Sequence, residues 1–192
     1  MYDCATLVLI TGVTGSGKTT LGKRLAQSLT MPYVDYDTLT EVFLQRIRKE
    51  CDPELEYRSF LKKWRGETYQ VFWDTIAENL AIGVSVIATA PCSNERKDST
   101  FFSTFKEARS LQQTNILNIH LVPTRDRLRQ LLEKRGLNRD TYHLERFDVV
   151  INGQEDPPQW DVDSLSVIHY TDSETPLIRS LEFLRDQQYK ES

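Results

Sequence analysis

The 192-residue chain predicts a three-layer α/β fold, a five-stranded parallel sheet held between layers of helices. Three observations carry that expectation. Short apolar runs alternate with longer segments of helical period, the pattern of a doubly wound sheet. The first run, Leu7-Val8-Leu9-Ile10, is continuously apolar, as a strand buried on both faces must be. It leads into Gly12-Val13-Thr14-Gly15-Ser16-Gly17-Lys18-Thr19, a complete Walker A phosphate loop, followed by Leu21, Leu25 and Leu29 at helical spacing.

Strand, glycine loop and helix in that order are what phosphate binding requires. Glycines let backbone N–H groups turn inward around an anion, and the helix N-terminus adds partial positive charge. Gly12, Val13, Thr14, Gly15, Ser16, Gly17, Lys18, Thr19 and Thr20 are therefore expected to hold the phosphates of ATP. Lys18 reaches the β/γ-phosphates, and the Thr19 hydroxyl suits Mg²⁺.

The remaining elements follow in order. A second strand is expected over 33–35 and a helix over 38–49, with Leu39, Val42, Phe43 and Ile47 on one side. A helix over 67–80 carries Tyr69, Phe72, Trp73, Ile76 and Leu80 at the 3.6 period, a stripe that reads as core. A third strand is expected over 84–88, after Gly83, then a helix over 101–111, a fourth strand over 116–122 and a helix over 126–135. A short fifth strand over 165–168 and a helix over 176–186 complete the pattern. Residues 148–163, with Pro157-Pro158 and several acids, read as an irregular surface connection.

Composition sets bounds. With 39% hydrophobic and 27% charged residues, the chain fits one domain spanning 1–192. A net charge of −4 gives no global basic footprint for nonspecific nucleic-acid binding, which leaves nucleic acid disfavoured but open through a local patch. Cys4, Cys51 and Cys92 are far apart, so neither a disulfide framework nor a zinc site is indicated. No apolar run approaches membrane-spanning length, and the N-terminus lacks the basic lead of a signal peptide. A soluble cytoplasmic protein without a membrane partner is expected, its oligomeric state left open.

Absent motifs narrow the class. Strands three and four run into Thr89-Ala90-Pro91 and Val122-Pro123-Thr124 rather than the acid of a Walker B, which disfavours motor and transporter ATPases. Asp-x-x-Gly and Asn-Lys-x-Asp are missing as well, which disfavours switch GTPases. A small phosphotransferase remains.

The stretch from Gly12 to Asp37, ending Pro32-Tyr33-Val34-Asp35-Tyr36-Asp37, resembles the opening of small P-loop metabolite kinases such as gluconate kinase and shikimate kinase. It is similar also to uncharacterised P-loop ATPase/kinase proteins and zeta-toxin-type kinases. The likeness is strong to residue 37 and loose in layout to about 140. It implies a nucleoside-monophosphate-kinase-like fold with a helical lid, and transfer of the ATP γ-phosphate to a hydroxyl of a small-molecule acceptor. The Asp-x-Asp implies Asp35 beside Mg²⁺ with Thr19, and Asp37 orienting the acceptor. Physics agrees, because the acceptor must be aimed in line at phosphorus by a group that takes its proton. Asp37 is equally placed to N-cap the next helix.

Residues 125–146 carry an excess of basic groups, and a glycine, Gly136, stops the leucine stripe of that helix. Arg135 and Arg139 are the lid candidates on this resemblance, closing over the phosphates and joining Lys18 and Asp37 as catalytic groups. Arg65, and Arg96 in the loop after strand three, are candidates for an anionic acceptor, and each suits a surface ion pair equally. Cys92 in that loop is a weak candidate for a reactive thiol. Residues 170–176 lie where the resembled kinases cradle adenine.

Two departures keep specific substrates from being carried over. Shikimate kinases have a glycine-rich turn where this chain has Ala90-Pro91-Cys92, and gluconate kinases a His-Pro where it has Thr38-Leu39-Thr40. Two further readings stay open: a kinase for a nucleotide-sugar, an antibiotic or a nucleic-acid 5′-hydroxyl, and a non-catalytic ATP-responsive regulatory protein.

Overall fold

The computed structural model describes residues 4–136, 144, 145, 147, 148 and 156–190. Its strands are β1 (Thr6–Gly12), β2 (Tyr33–Asp35), β3 (Val86–Thr89), β4 (Asn115–Pro123) and β5 (Ser164–Tyr170), paired in parallel in the order β2-β3-β1-β4-β5. The helices are α1 (Lys18–Leu29), α2 (Tyr36–Cys51), α3 (Tyr57–Lys63), α4 (Arg65–Ala81), α5 (Phe101–Ala108), α6 (Arg125–Arg135) and α7 (Thr175–Lys190). The expected five-stranded parallel sheet with flanking helices is the fold observed.

Alternation along β1 builds both layers, because successive side chains of a strand point to opposite faces. Leu7 and Leu9 enter a core with Val86, Ala88 and Ile116, covered by Tyr69, Phe72, Trp73 and Ile76 of α4 and by Phe102 and Phe105 of α5. Val8 and Ile10 face the other way, against Leu21 and Leu25 of α1, Leu117, Ile119 and Ile168 of the sheet, and Leu184 of α7. The aromatic stripe of α4 is core throughout. Trp73 meets Phe102 edge-on at 5.9 Å and Phe105 at 5.4 Å, the arrangement that ring quadrupoles favour.

Three local features differ from the sequence pattern. Helix α2 begins at Tyr36 and is rotated so that Thr40 and Leu44 are its buried residues, while Val42 and Phe43 are exposed. The rotation follows from its start: Asp35 caps it, with Oδ1 accepting the Thr38 amide at 2.9 Å. The seven-residue α3 buries only Phe60. The connection 156–163 is irregular, yet Trp160 in it is buried, edge-on to Phe102 at 5.0 Å and donating its indole N–H to the Glu95 carbonyl at 2.7 Å.

Candidate active site

Register brings the candidate residues to one edge of the sheet. Gly12 lies beside Leu121, Thr89 beside both Ile10 and Asp35, and Pro123 beside Tyr170, so the strands end together at their carboxyl ends. That edge is where open α/β sheets bind ligands.

The loop between β1 and α1 has a shape only glycine permits at its start. Gly12 has φ 142°, and a Cβ there would stand 2.6 Å from the Leu121 carbonyl oxygen and 2.7 Å from Ser16 Oγ. Gly17, at φ 77°, turns the chain into α1. The Ser16 hydroxyl oxygen is buried with no hydrogen-bond partner. Tyr170 braces the loop from β5, its hydroxyl donating to the Ser16 carbonyl at 2.6 Å.

Lys18 folds back over this loop, with Nζ donating to the carbonyls of Gly12 at 3.0 Å and Val13 at 2.8 Å. The residue is half-buried, but its ammonium end is enclosed, and burial pushes its pKa down to about 8. The Asp37 charge opposes that shift most strongly, ahead of Cys92 and Asp35, while Arg135 reinforces it. A phosphate at the loop would act in the Asp37 sense and restore the charged form.

Asp35 is the most heavily bonded carboxylate of the site. Oδ2 accepts from the hydroxyls of Thr89 at 2.5 Å, Tyr33 at 3.0 Å and Thr19 at 3.2 Å, and Oδ1 accepts the Thr38 amide and hydroxyl. Burial pushes this carboxyl up, but the hydrogen bonds outweigh it and hold the group below its ordinary value. Because the Thr19 hydroxyl gives its proton to Asp35, its lone pairs stay available to a hard cation. Thr19 and Asp35 therefore fit Mg²⁺, which takes few protein oxygens and fills its shell from phosphates and water.

Asp37 lies in the first turn of α2, half-buried, on the wall of a large groove that also includes Lys18, Arg65, Arg96 and Arg135. The capping role open to it belongs to Asp35 instead. Arg65 pairs with Glu95 at 2.6 Å and stacks over the Tyr69 ring at 3.7 Å, and Arg96 donates to the Asp156 carbonyl. Both thus have protein partners within the groove wall. Arg135 ends α6 just before Gly136, at φ 61°. That helix is seated on the loop, since a Cβ on Gly15 would meet Leu132 Cδ2 at 2.5 Å. Arg139 lies outside the described residues, as does most of 137–146.

Cys92 is fully buried at φ 47°, its amide donating to the Tyr69 hydroxyl at 3.0 Å, and burial pushes its thiol well above the ordinary value. The reactive-thiol candidate is therefore the least ionisable group of the loop. A small pocket lies beside the loop, between Gly17, Arg24, Arg127, Tyr170, Pro176 and Leu177, and so takes in part of the 170–176 stretch to which the resemblance pointed. Its rim is shaped by Asp172, which accepts the Glu174 and Thr175 amides at 2.8 Å. The Asp-x-x-Thr spacing seen at the Asp35 cap recurs at Asp172, where the carboxylate closes a turn just ahead of α7.

The chain is similar to known proteins in sequence and in fold. The family profile described as AAA domain matches residues 7–155. A shikimate kinase of Bacteroides thetaiotaomicron is 27% identical over 148 residues, 77% of each chain. Among solved structures, a candidate kinase of Chloroflexus aurantiacus superposes with a TM-score of 0.72 over 100% of both chains at 20% identity. A gluconokinase of Sinorhizobium meliloti superposes at 0.54, over 97% of this chain and 99% of that one, at 16% identity.

Proposed function

This chain belongs to the AAA domain family, and from that membership and its site geometry we propose that it transfers the γ-phosphate of Mg-ATP to a hydroxyl of a small-molecule acceptor. The observation that carries the reading is the convergence of Lys18, the Thr19–Asp35 pair and Asp37 on one groove at the strand ends.

Each residue has a task its position supports. The amides of 12–20 and the Lys18 ammonium bind the phosphates, and Lys18 exchanges its two carbonyl contacts for phosphate oxygens. Thr19, oriented by Asp35, holds Mg²⁺, which when bound neutralises charge on the phosphates. Asp37 receives the acceptor hydroxyl and takes its proton. Arg135 supplies positive charge opposite Lys18 as transfer proceeds, and Arg139 is assigned the same task on the lid over 125–146. The pocket between Arg127 and Pro176 receives the adenine, an apolar slot with a cation on one wall. Arg65 and Arg96 form the acceptor side, Arg65 held in place by Glu95. Cys51 and Cys92, outside any disulfide, support a cytoplasmic setting, and among the described residues no helix is long and apolar enough to cross a membrane.

The reading is tested by ADP release from Mg-ATP across sugar acids, polyols, nucleosides, aminoglycosides and 5′-hydroxyl oligonucleotides, with Lys18→Ala and Asp37→Asn alongside. Acceptor-dependent ADP abolished by both substitutions is the expected result. ADP that is the same with every acceptor and unchanged by Asp37→Asn sinks it and leaves a nucleotide-responsive regulator.

A further inference from the structure

The groove is far longer than the reaction needs. From Asp37 its wall follows one face of α2 through Glu41, Leu44 and Gln45 to Arg48, and then passes onto Tyr57, Leu61 and Lys62 of α3. Positions 37, 41, 44/45 and 48 share a helix face, and eleven residues at about 1.5 Å per residue carry that wall about 16 Å from Asp37. A six-carbon acid, with C–C bonds of about 1.5 Å, reaches only about half that distance.

Charge is distributed along the groove in a way the rest of the chain is not. Among the described residues, eleven basic side chains line it against five acidic ones, in a protein whose net charge is −4. At the far end, the Arg48 guanidinium lies 5.2 Å from the Tyr57 ring centroid, and its Nε is buried without a hydrogen-bond partner. A donor left in that condition costs free energy until an acceptor reaches it. Between the two ends the wall is partly apolar, through Leu44, Pro53 and Leu61.

Resting on the phosphotransfer reading above, we propose that the acceptor is an elongated small molecule with its hydroxyl at Asp37 and a phosphate or carboxylate at Arg48 and Lys62. Its apolar or neutral middle spans the wall between them. The two ends are recognised by separate groups, so acceptor length is selected along with charge.

The test uses protein saturated with Mg-AMP-PNP and ω-hydroxyalkyl phosphates of two to ten methylenes as probes, with Kd read by calorimetry. Affinity is expected to rise with length, 10-hydroxydecyl phosphate binding at least tenfold tighter than 2-hydroxyethyl phosphate. Arg48→Gln with Lys62→Gln should remove that gain, whereas Arg46→Gln, on a residue paired with Glu50 and absent from the groove wall, should keep it. The Kd for Mg-AMP-PNP in each variant verifies the fold. Flat affinity, equal binding of uncharged 1,10-decanediol, or a gain surviving the double substitution overturns the proposal. So does a 5′-hydroxyl oligonucleotide whose affinity climbs with every added nucleotide and falls steeply with salt, the mark of a nucleic-acid acceptor. ADP release from Mg-ATP, with these probes and with compact sugar acids, separates the two readings: length-selective binding without ADP upholds the elongated site and removes phosphotransfer, and ADP with the sugar acids beside flat binding does the reverse.

Discussion

Thr89 Oγ1 donates to Asp35 Oδ2 at 2.5 Å, joining the ends of two neighbouring strands. The position that closes β3 carries no acid, and the carboxylate beside the phosphate loop comes from β2 instead, held by four hydroxyls. Asp35 and Asp37 thus differ in kind: one anchors structure and the Thr19 hydroxyl, the other faces the groove.

That difference is measurable. Asp35→Ala removes the α2 cap and the acceptor shared by the Thr19, Tyr33, Thr38 and Thr89 hydroxyls, and should cost about 2–4 kcal/mol in urea unfolding. Asp37→Asn should leave stability within about 0.5 kcal/mol while lowering acceptor-dependent kcat by about 10²–10⁴. Equal destabilisation by both would contradict the division.

Gly12→Ala places a Cβ 2.6 Å from the Leu121 carbonyl at a φ that L-residues rarely adopt. The expected cost is about 1–3 kcal/mol, seen as a melting temperature lowered by several degrees, with nucleotide binding lost. An alanine variant that binds ATP normally would show that the loop can re-form elsewhere.

Tyr170→Phe deletes only the hydroxyl that braces the Ser16 carbonyl. A stability loss of about 1 kcal/mol is expected, together with a weaker Kd for ATP, because the loop loses its tie to β5. An unchanged Kd by calorimetry would confine this bond to folding alone.

Alkylation separates the cysteines. Iodoacetamide at pH 8 should label exposed Cys51 and spare Cys92, whose protonated thiol is enclosed. Below pH 9 the Cys92 thiol is protonated in folded and unfolded chains alike. Above the ordinary value of 9.0 only the unfolded chain ionises, so the stability advantage of wild type over Cys92→Ala should shrink as pH rises from 8 to 10. Peptide mapping and urea midpoints read the two effects.

The strands and the phosphate loop were legible because burial on both sheet faces leaves continuous apolar runs, and because loop geometry demands glycine at fixed positions. The stripe of α4 was legible for the same reason, since Tyr69, Phe72 and Ile76 repeat one face. Helix α2 misled: Val42 and Phe43 have the right period, but the cap at Asp35 turns Thr40 and Leu44 inward. Helix α3 gave no signal because one buried residue, Phe60, defines no period. The Arg65–Glu95 pair joins residues thirty positions apart, and nothing local encodes it. Trp160 was hidden among prolines and acids, where composition suggests surface.

Trp160 also gives the molecule a built-in optical probe. Its indole N–H rests on the Glu95 carbonyl, and the Glu95 side chain grips Arg65 at the acceptor side of the groove. Any ligand that draws Arg65 away from Glu95 alters the polarity at that indole. Emission from this one ring, isolated by replacing Trp64 and Trp73 with phenylalanine, would report acceptor arrival in real time without a label.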